Sequence, residues 1–398
     1  MSKPDNINIP RGFLFSTVEA AIKKPGRKDL ALIFSEKDAA MAGMFTKNKV
    51  KAAPVLLDMR LVKSGKGRAI VVNSGNANAC TGKQGMSDAL EIAELTASGL
   101  KIKTNSVFVC STGVIGNPMP MERIRPKLAE LASNIGKSSI NDVAAAMMTT
   151  DTFPKIVSRR IRIAGKAVTI AGICKGAGMI RPDMATMLCF LMTDACIDKS
   201  FLGSALKEAV KNSFNRITVD GDMSTNDTVL IMANAMAGNE EIKKDTRAFK
   251  VFCAALSALC YELARMIIQD GEGATKLVEI EVRNAATDKD AEKAAFTAAN
   301  SPLVKTAIYG NDANWGRIMA AVGYSGANIK EETTDIFING LKVAARGLST
   351  GKDKEANDRL KAKEVSIVID LNLGRGKAKV LTCDLTEDYI KINAEYRT

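Results

Sequence analysis

The chain has 398 residues, 46% of them hydrophobic and 25% charged, with a formal net charge of +12 and no histidine. Its length supports one large domain or two to three smaller ones, and its composition is that of an ordinary globular protein. The missing histidine excludes a Ser-His-Asp triad, a Cys-His pair and any imidazole-ligated metal site. What remains is a lysine base, carboxylate chemistry, or a nucleophile activated by an α-amine.

In chain order, "LALIFSE" (30–36) and "RAIVVNSG" (68–75) read as buried strands. "SDALEIAELTASGLKIK" (87–103) has apolar residues at helical spacing and ends near Gly99. "SVFVCSTGVIG" (106–116) is a strand running into a glycine turn. "KIVSRRIRIAGKAVTIAGICKGAG" (155–178) alternates as a hairpin does, with its turn near Gly165-Lys166. "MLCFLMTDA" (187–195) has the length and composition of a buried strand. Amphipathic helices follow at 200–217 and 248–273, the second stopping at Asp270-Gly271. "KLVEIEVRN" (276–284) and the segment 364–385 are strands again, with a helical region between them at 287–310. "GLSTGKDKEANDRLKAKE" (347–364) reads as a charged, mobile connection. The whole is an α/β chain with helices layered on sheet, and its hairpins favour an antiparallel or mixed sheet.

Bulk features add little chemistry. Eight cysteines contain no CxxC pair and mostly sit in apolar stretches, so they read as small buried hydrophobes with no zinc site. Lysine and arginine are interleaved with acidic residues, and five tyrosines and one tryptophan give no base-stacking pattern. This is a solvated basic surface that attracts carboxylate-bearing substrates, with no nucleic-acid or membrane partner expected. No apolar run reaches the ~18 residues of a membrane span. The opening "MSKPDNINIPRGF" lacks the apolar core of a secretory signal, so a cytoplasmic location is expected.

Two glycine-rich loops invite misreading. "NSGNANACTGKQG" (73–85) has the wrong glycine spacing for a phosphate loop, and Gln84 stands where Ser or Thr belongs. "DGDMSTNDT" (220–228) mimics a calcium loop but has Thr225 where that loop needs glycine, and no closing glutamate. Side-chain-capped turns are the expectation for both.

The stretch "KGAGMIRPDMATML" (175–188) carries the strongest chemical signal. Ala185 is small, and Pro182 with the two glycines shapes a constrained loop able to hold a strained peptide. Attack of the Thr186 hydroxyl on the Ala185 carbonyl gives an ester, which water cleaves. The freed α-amine has an ordinary pKa of ~7.7–8.0, so Thr186 carries its own general base. Such chemistry needs an oxyanion hole, and "STGVIG" offers the Thr112 hydroxyl and the Gly113 backbone N–H.

At this point the chain resembles the ornithine acetyltransferases of arginine biosynthesis. The likeness runs in order through "MFTKNKVKAAPV", "NSGNANACTG", "STGVIG", "TTDTFPK", "KGAGMIRPDMATML", "VDGDMSTNDT", "DGEGATK", "GNDANWGRIMAAVGYSGA" and "DYIKINAEYRT". The resemblance implies self-cleavage between Ala185 and Thr186, giving an α chain of residues 1–185 and a β chain of residues 186–398. It implies that Thr186 takes acetyl from N-acetylornithine and passes it to glutamate by a ping-pong route. Thr112 and Gly113 would form the oxyanion hole, and Thr152, Lys175, Thr186, Glu272, Asn393 and Thr398 would contact substrate. No cofactor or metal is implied, acetyl-CoA as a second acetyl donor is left open, and the expected assembly is α2β2 or larger. The family fold is a layered α/β sandwich like that of N-terminal-nucleophile hydrolases but differently connected. Asp183 departs from the Asn more often expected before Met-Ala-Thr. Two other readings stand beside this one: a self-cleaving amidase or aminopeptidase with the same nucleophile, and a basic binding protein in which Thr186 is structural.

Overall fold

A 16-residue strand with a kink in its middle organises the larger part of the molecule. The computed structural model describes residues 7–181 and 187–395. They form two compact units, one of residues 7–176, 187–215 and 223–267, the other of residues 177–181, 216–222 and 268–395.

Unit one contains strands β1 (Phe13–Val18), β2 (Leu30–Phe45), β3 (Lys66–Asn76), β4 (Val107–Val114), β5 (Lys155–Ile163), β6 (Lys166–Lys175), β7 (Leu188–Thr193) and β8 (Thr228–Ala233). Its helices are α1 (Ala53–Leu61), α2 (Gly82–Leu100), α3 (Met121–Ser133), α4 (Ile140–Ala146), α5 (Lys199–Lys211) and most of α6 (Arg247–Gln269). The strands run in the order β4-β3-β2-β8-β7-β6-β5, with β1 also on β2. β2 shifts register between Phe34 and Ala39. Its first half pairs with β1 and its second half with β8, while β3 pairs on both sides of the shift, at Leu30–Phe34 and at Ala39 and Ala40.

The bulge lets the two halves of the sheet face each other, as bulges re-aim strands elsewhere. Between them Phe13, Ile33, Ile70 and Phe108 meet Ala171, Phe190 and Leu230 in one core. On the outer face of β3 and β4, Val71 and Val109 pack with Ile92 of α2 and Ile124 of α3. On the outer face of β6, Gly172 lies against Leu259 and Leu263 of α6. The result is the layered α/β architecture expected from the sequence, helix on sheet on sheet on helix. The sheet is mixed, with β3–β4 and β7–β8 parallel and the other pairs antiparallel.

The hairpin at 155–178 is as expected, and Ala164 and Gly165 turn with φ of +47° and +80°, which matches a two-residue turn with both centres left-handed. α6 is long and apolar enough to cross a membrane by length and composition, but half of that stretch is buried inside the protein. Phe252, Leu256, Leu259, Leu263 and Ile267 form its buried stripe, and Lys250 and Glu262 point to solvent, which makes it an amphipathic core helix. The cysteine reading needs one correction. Five cysteines are buried, but Cys80 is exposed on a left-handed turn position.

Unit two contains β9 (Leu277–Ala285), β10 (Asp335–Ile338), β11 (Leu341–Ala345), β12 (Leu348–Ser349), β13 (Glu364–Asp370) and β14 (Gly376–Cys383), in the order β12-β11-β10-β13-β9-β14. Its helices are α7 (Asp288–Asn300), α8 (Pro302–Tyr309), α9 (Trp315–Gly323), α10 (Asp353–Arg359) and α11 (Glu387–Ala394). The helical region at 287–310 is two helices, because Ser301 caps the second and Pro302 starts it. α7 turns an alanine face (Ala291, Ala294, Ala295, Ala298) to Val278, Ile280 and Val282 of the sheet. The charged stretch 347–364 is not a mobile connection. It holds β12 and α10, anchored by buried Ala356 and Leu360 and by the Arg359 guanidinium on the Asn339 carbonyl. Two apolar residues in a charged run were enough to seat a short helix.

Candidate active site

In unit one the site begins at the end of β4, where "STGV" runs beside β3. Thr112 is almost fully buried. Gly113 sits at φ +139°, and a Cβ there would lie 2.2 Å from the Gly75 carbonyl carbon, so the strand pair closes only around glycine. The neighbouring loop is locked to this strand by side chains. Ser111 Oγ donates to Asn73 Oδ1 at 2.6 Å, and the Asn226 amide donates to the Ala77 and Ser111 carbonyls, both at 2.7 Å. Asn76 Oδ1 accepts the Asn78 N–H at 2.8 Å, the turn expected of "NSGNANACTG".

β6 ends at Lys175, which is 3% exposed and lies opposite Leu188 of β7. Its Nζ donates to Thr112 Oγ1 at 3.3 Å. An ammonium has no lone pair, so Thr112 accepts here and its own hydroxyl proton is directed elsewhere. The structure therefore brings Thr112 and Lys175 together beside the strand that follows Thr186. Thr152 is exposed next to Asp151.

Asp151 and Lys155, not expected from the sequence, underpin this corner. Asp151 accepts from Lys155 Nζ at 2.7 Å and from the Gly176 N–H at 2.6 Å, with the Lys155 side chain wholly buried. Burial pushes the Asp151 carboxyl up, but the charges of Lys175 and Lys155 and these hydrogen bonds hold it down at about 2. The signal was present in "TTDTFPK", an acid and a base four residues apart.

Thr186, Ala185 and Asp183 lie outside the described residues. The next residue, Met187, donates its N–H to Asp227 Oδ1 at 3.2 Å.

In unit two, Glu272 is buried, its N–H on the Ala177 carbonyl at 2.8 Å and its Oε2 accepting the Asn393 amide at 2.8 Å. These two expected substrate contacts thus meet. A Cβ on Gly178 would stand 2.2 Å from Glu272 Oε2, so this glycine is what lets the carboxylate approach the chain. Asp220 accepts the Met179 and Ile180 N–H groups at 2.6 and 2.9 Å, and the Tyr389 hydroxyl donates to it at 3.3 Å. Thr398 lies outside the described residues. "DGDMSTNDT" is thus a turn-and-tether segment, its end aspartates spent on backbone amides.

The chain matches the ArgJ family over residues 14–398. A protein of Geobacter sulfurreducens named arginine biosynthesis bifunctional protein ArgJ is 54% identical over 390 residues, covering 98% of this chain and 99% of that one. A protein of the same name from Caldanaerobacter subterraneus subsp. tengcongensis is 49% identical, covering 98% of each. The crystal structure of arginine biosynthesis bifunctional protein ArgJ from Bacillus halodurans, 48% identical, superposes with a TM-score of 0.50 on 52% of this chain and 97% of its own. A match of this extent, with the motif residues converging as described, places the chain in the ArgJ family.

Proposed function

We propose that this protein is a self-processing glutamate N-acetyltransferase. Its chain cleaves between Ala185 and Thr186, and the new N-terminal Thr186 takes acetyl from N-acetylornithine, releases ornithine, and gives the acetyl to glutamate. The observation that carries this reading is the meeting of Thr112 and Lys175 beside the start of β7, in a chain of the ArgJ family. Thr112 and Gly113 serve as oxyanion donors, and the cation behind Thr112 strengthens the hole as negative charge develops. Thr152, Lys175, Thr186, Glu272, Asn393 and Thr398 are the proposed substrate contacts, with Glu272 suited to the ornithine ammonium. The products assemble as α2β2 or larger in the cytoplasm, and no cofactor takes part. The relatives are named bifunctional, and we take acetyl-CoA as the second acetyl donor.

Intact-mass measurement of the purified protein, with each donor supplied separately, tests the reading. Two chains, an added acetyl on the chain starting at Thr186, and N-acetylglutamate on addition of glutamate are expected. Free acetate without N-acetylglutamate favours the amidase, and a single uncleaved, unacetylated chain sinks the proposal. Glu272→Gln is expected to raise KM for N-acetylornithine roughly tenfold or more while kcat falls less, since a lost charge-assisted hydrogen bond is worth about 1.5–3 kcal/mol. Gly178→Ala should show the same KM signature by displacing the Glu272 carboxylate; an unchanged KM in both variants removes Glu272 from the site.

A further inference from the structure

Unit one carries a second concave feature, a cavity of about 350 Å³ whose wall includes Lys66, Arg68, Lys101, Lys103 and Asp38. Two basic runs of the sequence supply it, "KSGKGR" (63–68) and "KIK" (101–103). β3 and β4 pair in parallel, with Ala69 beside Val107, so the segments that lead into both strands lie at one end of the sheet. Lys66 and Arg68 open β3, and Lys101 and Lys103 belong to the connection from α2 to β4. Thr112 and Gly75 lie at the other end of the same two strands. Counted along β4 from Val107 and along β3 from Gly67, they are roughly 17–26 Å away at ~3.3 Å per residue. The cavity is therefore separate from the corner where Thr112 meets Lys175.

Its charges are poorly neutralised. Arg68 is fixed in place: Nε donates to the Ser35 carbonyl at 2.8 Å, Nη2 donates to the Glu36 carbonyl at 3.0 Å, and the guanidinium lies 5.0 Å from the centre of the Phe34 ring. Its Nη1 stands 3.5 Å from Asp38 Oδ1, and the exposed Asp38 makes this a weak pair. The ammonium groups of Lys66, Lys101 and Lys103 form no hydrogen bond or ion pair among the described residues. A fifth cation stands close by. Lys199 lies along Gly65, where a Cβ would sit 2.4 Å from its Cδ, and its Nζ donates at 3.3 Å to the carbonyl of Ser64, which also lines the cavity. Like charges gathered at one recess repel, and the recess focuses their field outward. An anion seated there relieves that repulsion.

We propose that this cavity binds an oligophosphate anion, either the phosphate chain of a nucleotide or an inorganic polyphosphate, at a site distinct from the one that takes substrate. Its volume lies within the ~300–1,000 Å³ of small-molecule sites. A rigid guanidinium ringed by flexible ammonium groups suits a chain of phosphates, because arginine grips one group by its fork and lysines follow the others as point charges. A single carboxylate satisfies one of these cations and leaves the rest unpaired. No aromatic side chain lines the cavity among the described residues, so it offers no platform for stacking the bases of a nucleic acid. The inference is independent of the chemistry proposed for Thr186.

Calorimetric titration of the full protein with inorganic tripolyphosphate tests this. Saturable binding to one site per chain is expected, weakened by added salt, weaker for orthophosphate, and accompanied by a rise in Tm. Lys66→Glu with Lys103→Glu should weaken it roughly tenfold or more, since two attractions become repulsions. The charge-matched control is Lys83→Glu with Lys211→Glu, both exposed. Each lies at the far end of its helix from the cavity, roughly 18–27 Å along the axis, and this pair should bind nearly as the wild type does. A readout that needs no variant is amine acylation of the wild type, in which tripolyphosphate should protect Lys66, Lys101 and Lys103 more than Lys83 and Lys211. Adenosine triphosphate in a parallel titration separates the two sources: tighter binding than tripolyphosphate identifies a nucleotide, and equal binding identifies the phosphate chain alone. Absence of saturable binding, equal losses in the two double variants, or uniform protection of all five lysines overturns the inference. So does displacement of tripolyphosphate by N-acetylornithine, which would put the anion in the substrate site.

Discussion

Thr186→Ala is expected to remain a single full-length chain and to transfer no acetyl from N-acetylornithine to glutamate. Both losses come from one atom. In the proposed reaction the Thr186 hydroxyl is the nucleophile for the bond before it, and later the acetyl carrier. Its removal before cleavage also prevents the α-amine from forming, so nucleophile and base are lost together. Nucleophile removal elsewhere costs on the order of 10⁶ in kcat, and groups that act as a unit give losses that do not add. Thr186→Ser retains a hydroxyl and is expected to cleave and transfer, at altered rates. Mass spectrometry reads processing, and N-acetylglutamate formation reads transfer. Efficient cleavage of Thr186→Ala would place the cut under some other group and end the mechanism as written.

The chemistry proposed for Thr186, which lies outside the described residues, comes from residue types and an absence. With no histidine in the chain, a hydroxyl nucleophile needs a base of another kind, and a small-residue junction after a glycine loop suggests one. Long strands and helices were legible for the usual reason, that their apolar periodicity spans enough residues to outweigh local noise. The short elements were not. β10 and β11 have four and five residues, and α10 is a seven-residue helix in a charged run seated by Ala356 and Leu360. The largest omission in the site was Asp151 with Lys155. Their spacing suggests an exposed helical pair, whereas Lys155 opens a strand and both side chains are buried. Sequence spacing reports which residues are near along the chain. It does not report that β2 bends and lets β4 and β6, with four strands between them in the sheet order, meet at Thr112 and Lys175.

Asp151→Ala is expected to be the most destabilising single change among the residues near Thr112. It takes a carboxylate 2.7 Å away from a fully buried ammonium and removes the acceptor of the Gly176 and Thr149 amides. Breaking one side of a buried pair costs about 3–5 kcal/mol, because the remaining charge is left in a poor solvent. The loss should appear as a fall in Tm of roughly 10 °C and as slower transfer, since Gly176 follows Lys175 directly. Asp151→Ala combined with Lys155→Met should recover part of the Tm, which an ordinary packing defect would not. The pH dependence has a definite sign. The Asp151 carboxyl titrates at about 2 when folded, against ~3.9 when unfolded. Its contribution is therefore present in full above about pH 4 and is lost as pH falls from there toward 2, amounting to about 2–3 kcal/mol. The Tm difference between wild type and Asp151→Asn should accordingly be constant near neutrality and shrink below pH 4. A difference that stays the same down to pH 2.5, or an Asp151→Ala protein within about 1 kcal/mol of wild type, would show that the buried pair is not what holds Lys175 against Thr112.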